Sequence, residues 1–173
     1  MRNEGTLKPG YRCRMYSTNT VNPTVVHHVR DMWERLTEYE LSLLLAKETV
    51  AGLFDKQIQE SKQAGYMDQK FEEYYCDVDY IYIIESNVPF LPAPKPIAFM
   101  AVKGNIILSL FVDPKERSRN FGKYLIYNHL EIYNQPMVVQ CYRDNLRALE
   151  FYKRLEFKAV DTLGIYLKLR REV

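Results

Sequence analysis

"FVDPKERSRNFGKYLIYNHL", Phe111 to Leu130, decides how this chain is read. The apolar run "IILSLFV" ends at Val112, and Pro114, which has no backbone N–H, stops it from continuing as a paired strand. Past "RSRNFG", Gly122, Ile126, Leu130 and Tyr133 recur at helical spacing, so the stretch is a strand, a loop and an amphipathic helix. A helix N-terminus offers unpaired N–H groups and about half a positive charge. Arg117, Arg119 and Lys123 add full charges beside it, a combination that suits a pyrophosphate. Gly122 lets the backbone approach a ligand closely, and Asn120 is of the few non-glycine types that tolerate a left-handed backbone. Taken alone, the same residues also fit an ordinary basic surface turn.

Working outward, "KGN" joins "IAFMAV" to "IILSLFV" as a hairpin, and "YIYIIE" (80–85) precedes it as a further strand. Between them "NVPFLPAPKP" (87–96) carries four prolines in ten residues, a stiff loop rather than sheet interior. Toward the N-terminus "GYRCRMYS" (10–17) reads as a strand. Val25, Val29, Met32, Trp33 and Leu36 share one face of a helix over about 23–36. A second helix is expected from about Glu38 to Ala64, with Gly65 as its stop. After the opening stretch come the strand "MVVQCY", the helical "NLRALEFYKRLEF", and a closing strand pair, "FKAV" and "IYLKLR". No repeat or linker interrupts this order, which describes one mixed α+β domain over 1–173 built on a single sheet.

Composition narrows the class. The 173 residues suffice for a packed core, and 47% hydrophobic with 27% charged residues describes a globular chain. No apolar run approaches the roughly 20 residues a bilayer requires. The N-terminal stretch lacks the apolar segment of a secretory signal. Cys13, Cys76 and Cys141 are scattered with no CxxC spacing, so no zinc site or disulfide framework is expected, and a reducing cytoplasm is. A net charge of +2 gives no argument for nucleic acid. From Lys103 onward there are 13 basic and 8 acidic residues, against 11 and 14 before it, so the C-terminal part attracts anions better.

The helix "NLRALEFYKRLEF" changes the weight of the opening loop. Asn145 is a good N-cap, while Ala148, Phe151, Tyr152 and Leu155 form one apolar face. Together the two segments resemble the paired motifs of the GNAT superfamily of acyl-CoA-dependent N-acyltransferases. The first motif, roughly V-x-P-x-x-[RQ]-x-x-G-x-[GA], is met by Val112, Pro114, Arg117 and Gly122, with Asn120 in place of a glycine. The second, roughly N-x-x-A-x-x-[FL]-Y-x-x-x-G-F, is met by Asn145, Ala148, Phe151, Tyr152 and Phe157, with Glu156 in place of a glycine. The resemblance covers the half of the chain from Tyr80 onward clearly. It implies a mixed, mostly antiparallel, splayed sheet flanked by helices.

It also implies roles. Acetyl-CoA would be the co-substrate, its pantetheine arm against the backbone of Leu110, Phe111 and Val112, and its pyrophosphate on the loop of Arg117, Ser118, Arg119, Asn120, Phe121, Gly122 and Lys123. Asn145 would touch the pantetheine arm, and Tyr152 would protonate the departing thiolate. A primary amine of a protein or small molecule would be the acceptor, and the sequence does not name it; a modified nucleobase is a third option. A homodimer is left open, and no membrane or metal is expected. Where some relatives carry a glutamate as base, this chain has Gln140, or Ile106 and Ile107; Asp79, Glu85 and His129 are the remaining candidates. The alternative reading is a GNAT-fold binding or structural module without catalysis.

Overall fold

The computed structural model describes residues 7–18, 23–45, 65–87 and 94–173. In chain order these form β1 (Tyr11–Ser17), α1 (Pro23–Leu45), α2 (Tyr66–Cys76), β2 (Tyr80–Ser86), β3 (Lys95–Lys103), β4 (Ile106–Val112), a 3-10 turn (Pro114–Glu116), α3 (Phe121–Tyr133), β5 (Met137–Tyr142), α4 (Leu146–Arg154), β6 (Lys158–Leu163) and β7 (Tyr166–Arg171). The seven strands make one sheet in the order β1-β2-β3-β4-β5-β7-β6. Only β4 and β5 pair in parallel; every other neighbouring pair is antiparallel. No helix among the described residues is long and apolar enough to cross a membrane.

Alternation along the central strands builds two cores. Tyr82, Ile84, Ala98, Met100 and Val102 point to one face, where Phe121, Leu125 and Ile126 of α3 and Tyr152 of α4 cover them. Ile81, Ile83, Phe99 and Ala101 point to the other, under Val25, Val29, Met32 and Trp33 of α1 and Phe71 of α2. Strands buried on both faces need apolar side chains at nearly every position, which is why "YIYIIE" and "IAFMAV" read as unbroken runs.

Among the described residues the expected order of elements holds, and most of the span expected for the second helix, Glu38 to Ala64, lies outside them. Glu38–Leu45 continues α1 without a break, and residues 46–64 lie outside the described ones. Gly65, at φ 82°, opens α2 as its N-cap. Three tyrosines and a phenylalanine in 66–76 suggest a strand lead-in by propensity. Packing overrides propensity here, because Met67, Phe71, Tyr74 and Tyr75 fall on one helical face against α1. Trp33 meets Phe71 and Tyr74 with ring centroids 5.4 Å apart in each case. The proline-rich 87–96 loop is described only at its ends. Its last residues, Lys95 and Pro96, begin β3, with Pro96 opposite Glu85 beside a bulge at Ile97 of β3, the kind of place where a missing N–H is tolerated.

The site follows from how β4 and β5 part. They pair only at Ile106 with Val138 and Ile107 with Val139. Beyond that, β5 turns to β7 through Gln140, Cys141 and Tyr142, while β4 stays with β3 as far as Val112 opposite Ala98. One backbone edge of Leu108–Val112 therefore faces an opening in the sheet.

Candidate active site

The loop after β4 is held by short-range bonds. Asp113 caps the 3-10 turn, its Oδ1 accepting from the Lys115 amide at 3.0 Å. Its Oδ2 accepts from Arg35 Nη2 of α1 at 3.1 Å. Burial alone would raise the Asp113 carboxyl; the Lys115 amide and the Arg35 guanidinium outweigh it and hold it below its ordinary value. Arg117 donates from Nε to the Val112 carbonyl at 3.1 Å, tying the loop to the end of β4. Ser118 and Asn120 both take left-handed conformations, at φ 66° and φ 65°. The second of these places Asn120 as N-cap of α3. The Tyr124 amide closes the first full turn on the Asn120 carbonyl at 2.9 Å. The amides of Phe121 and Gly122 precede that bond and stand outside the helical ladder.

A cavity of about 610 Å³ opens in front of this loop. Its wall includes Leu110, Phe111 and Val112 of β4; Arg117, Ser118, Asn120, Phe121, Gly122 and Lys123 of the loop and α3; and Asn145 and Tyr152. Of the residues singled out from sequence, only Arg119 is missing from it. The Arg119 guanidinium turns instead to the Tyr11 hydroxyl at 2.5 Å and to Glu116 at 3.1 Å. Sequence reading missed Tyr39 of α1 and Arg147 and Arg154 of α4, which also line the cavity. Arg147, Phe151 and Arg154 recur at i, i+4 and i+7, so an edge of α4 beside its apolar stripe was the available signal. Arg117 is desolvated and lies near Arg147; both effects lower its pKa. Two guanidiniums held near each other favour an anion between them.

Asn145 caps α4, its Oδ1 accepting from the Ala148 amide at 3.1 Å. Glu156, the second departure from the family motif, has φ 66°. Just after it the Phe157 amide reaches the Tyr152 carbonyl at 3.1 Å, so the glycine-type helix stop survives with glutamate. Tyr152 is buried, with Phe157 edge-on to its ring at 5.3 Å. Burial first, then the nearby Cys141 and Glu40, push its hydroxyl far above its ordinary pKa. It stays a proton donor throughout the working pH range.

A second cavity, of about 300 Å³, lies in the opening between β4 and β5. The two cavities share Leu36, Leu110, Asn145, Ala148 and Tyr152, so Tyr152 stands where they meet. Gln140 lines the smaller one, as does Glu40 of α1, a carboxylate the sequence reading passed over. Glu40 follows Trp33, Leu36 and Thr37 at i+7, i+4 and i+3, an acid on the apolar face of its helix. The other candidate bases have structural partners. Asp79 accepts from the Gly104 amide at 2.6 Å, Glu85 pairs with Arg12 at 2.6 Å, and His129 is buried against the Tyr82 hydroxyl at 2.9 Å. Ile106 and Ile107 sit where β4 still pairs with β5. Among the described residues no group of three or more histidines, cysteines or acids is placed to hold a metal ion.

Residues 27–157 match the family model described as Acetyltransferase (GNAT) family. The peptidyl-lysine N-acetyltransferase YjaB of Salmonella typhimurium is 32% identical over 75 residues, which cover 40% of this chain and 51% of that protein. The match thus spans about half the length of that relative. Among solved structures, the PaiA N-acetyltransferase of Thermoplasma acidophilum in complex with coenzyme A is similar at TM-score 0.58 and 17% identity, over 94% of this chain and 99% of that one. An acetyltransferase of Thermus thermophilus gives TM-score 0.62 at 12% identity, over 93% and 97%. At those identities the likeness is one of fold.

Proposed function

Because this chain belongs to the acetyltransferase (GNAT) family, we propose that it transfers the acetyl group of acetyl-CoA to a primary amine. The single observation that carries the reading is the meeting of two cavities at Tyr152. The larger has the size of a cofactor site and a wall matched to an elongated polyanion: apolar where β4 faces it, cationic at Arg117, Lys123, Arg147 and Arg154. Amides at the start of α3 would hold the pyrophosphate with the helix dipole behind them. Acetyl-CoA supplies an activated thioester; everything else is positioning and charge stabilisation by this chain.

The exposed backbone edge of Leu110–Val112 orients the pantetheine arm and offers N–H groups to the thioester carbonyl as negative charge develops on its oxygen. The amine nitrogen forms the new C–N bond as the C–S bond breaks; the sulfur takes the electron pair, and the proton that the nitrogen sheds leaves to solvent or to the thiolate. Tyr152 then serves that sulfur. A thiol has a reference pKa of about 8.5, well below that of a buried tyrosine, so a hydrogen bond from the hydroxyl to the forming thiolate is favoured over complete proton transfer. The three cysteines are free thiols, in keeping with a reducing cytoplasm as the place of work.

The test is release of free coenzyme A thiol from acetyl-CoA by the purified chain over a panel of primary amines, with the acetylated amine identified by mass. Amine-dependent release supports the reading. Tight acetyl-CoA binding with no release across the panel would leave a silent binding module as the better description.

A further inference from the structure

We propose that Glu40 of α1, in the wall of the 300 Å³ cavity between β4 and β5, receives the acceptor as a primary ammonium on a slim apolar stem. The inference rests on the transfer reading above for its use, and on the cavity itself for its chemistry. Among the described residues that line the cavity, Glu40 is the one that carries a charge. No ion pair to Glu40 exists among the described residues. Trp33 and Leu36 of α1, Tyr74 of α2, Tyr142 of β5 and Tyr152 of α4 bring aromatic and apolar groups to the wall, beside the neutral polar side chains of Thr37, Ser109, Gln140 and Asn145. One carboxylate in such a wall selects a cation, and aromatic faces hold an ammonium and its methylenes at once.

Two further observations agree. Glu40 lines the cavity while remaining partly exposed, and the surrounding protein desolvates it enough to raise its carboxyl pKa. Among the described residues, the titratable groups it acts on are Cys141 of β5, Tyr152 of α4 and Tyr166 of β7, all of which stay neutral or become anionic. The Tyr74 hydroxyl is buried in the same wall beside Ser109, a polar pair that an acceptor with a polar atom beyond its ammonium would meet. A carboxylate that holds the ammonium is also the group placed to take its proton before the nitrogen attacks.

Trp33 is the chain's one tryptophan and lines the cavity, so its fluorescence reports occupancy without turnover. The wild-type chain and Glu40→Gln are titrated, without acetyl-CoA, with 2-phenylethylamine, with Nα-acetyl-lysine N-methylamide, and with neutral 2-phenylethanol. At least one amine should change the Trp33 signal saturably, with tenfold or greater weakening in Glu40→Gln, while the alcohol binds both proteins alike. The arm that responds separates a free amine from a lysine side chain. Equal amine affinity in the two proteins, or no response to either amine, overturns the proposal. Thiol release from acetyl-CoA by the wild-type chain judges the transfer reading separately, and acetyl-CoA calorimetry on both proteins judges the cofactor site, since Glu40 is not in the wall of the larger cavity. Glu40→Asp, keeping the charge, should recover most of the amine affinity, which sets a charge effect apart from a folding defect.

Discussion

A Cβ placed on Gly122 would stand 3.0 Å from Cζ of Phe151 and 3.4 Å from its Cε2. The glycine of the loop motif thus packs against the aromatic residue of the second motif, and helices α3 and α4 meet through that contact. The sequence suggests that Gly122 is needed for close approach of a ligand; the structure shows that it is also needed for close approach of a ring.

Gly122→Ala has two opposed effects. Alanine gains about 1 kcal/mol of helix propensity, and the contact at 3.0 Å costs a comparable amount unless the Phe151 ring yields. Phe151 is half-buried and borders the larger cavity, so it can yield only by moving into that space. The expected outcome is stability within about 1 kcal/mol of wild type with weakened acetyl-CoA binding. Unchanged affinity, measured by calorimetry beside a urea melt, would count against the cavity assignment.

Asn120 sits at φ 65°, ψ 14°. Asn120→Gly removes the cost of a Cβ there and should leave stability equal or slightly higher, with the cofactor site intact. Asn120→Val should lose about 1–2 kcal/mol, because a β-branched residue is strained in that region. Urea midpoints of the two variants check this, and a valine variant as stable as wild type would refute the left-handed assignment.

How much of this was legible beforehand differs by residue. Asn120 was legible because its alternative conformation is a property of the residue type, and Asn145 because capping is local. Helix α2 was not, because its tyrosines favour strand locally and only contact with Trp33 makes them helical. Arg119 was grouped with its basic neighbours, but its partners, Tyr11 and Glu116, are set by tertiary packing and by the turn. Glu40 looked like one more surface acid, since nothing in α1 reveals that β4 and β5 part beneath it. Local chemistry was readable; the opening in the sheet, a relation between distant strands, was not.

The buried contact of His129 with Tyr82 predicts a pH limb in stability. Burial lowers the His129 pKa below its ordinary 6.5. A depressed histidine stabilises the fold fully above its unfolded value and loses that contribution as pH falls through the folded one. The urea midpoint should therefore fall as pH is taken below about 6.5, and His129→Asn should flatten that particular slope. A slope identical in variant and wild type would remove His129 from the account.

Asp113 gives the corresponding acid limb. Its pKa is held below the ordinary 3.8, so its contribution is present above that value and is lost as pH falls through the folded one. Asp113→Asn should be less stable than wild type at neutral pH, and the gap should close in acid. Arg35 is partly exposed, so the effect is expected to be modest. A gap that persists unchanged to low pH would assign the loss to packing instead.

Tyr152→Phe separates binding from chemistry. With the ring retained against Phe157, cofactor affinity should persist while turnover falls about 100-fold or more, the scale expected for a lost donor at a reacting atom. Equal turnover would show that another group serves the sulfur.

The central claim is that the larger cavity holds acetyl-CoA, and calorimetric titration tests it most directly. Wild-type chain should give a saturable one-to-one heat with acetyl-CoA, and Gly122→Leu, which drives a side chain into the Phe151 ring, should give none while remaining folded. No heat from wild type, or an undiminished heat from Gly122→Leu, would contradict it.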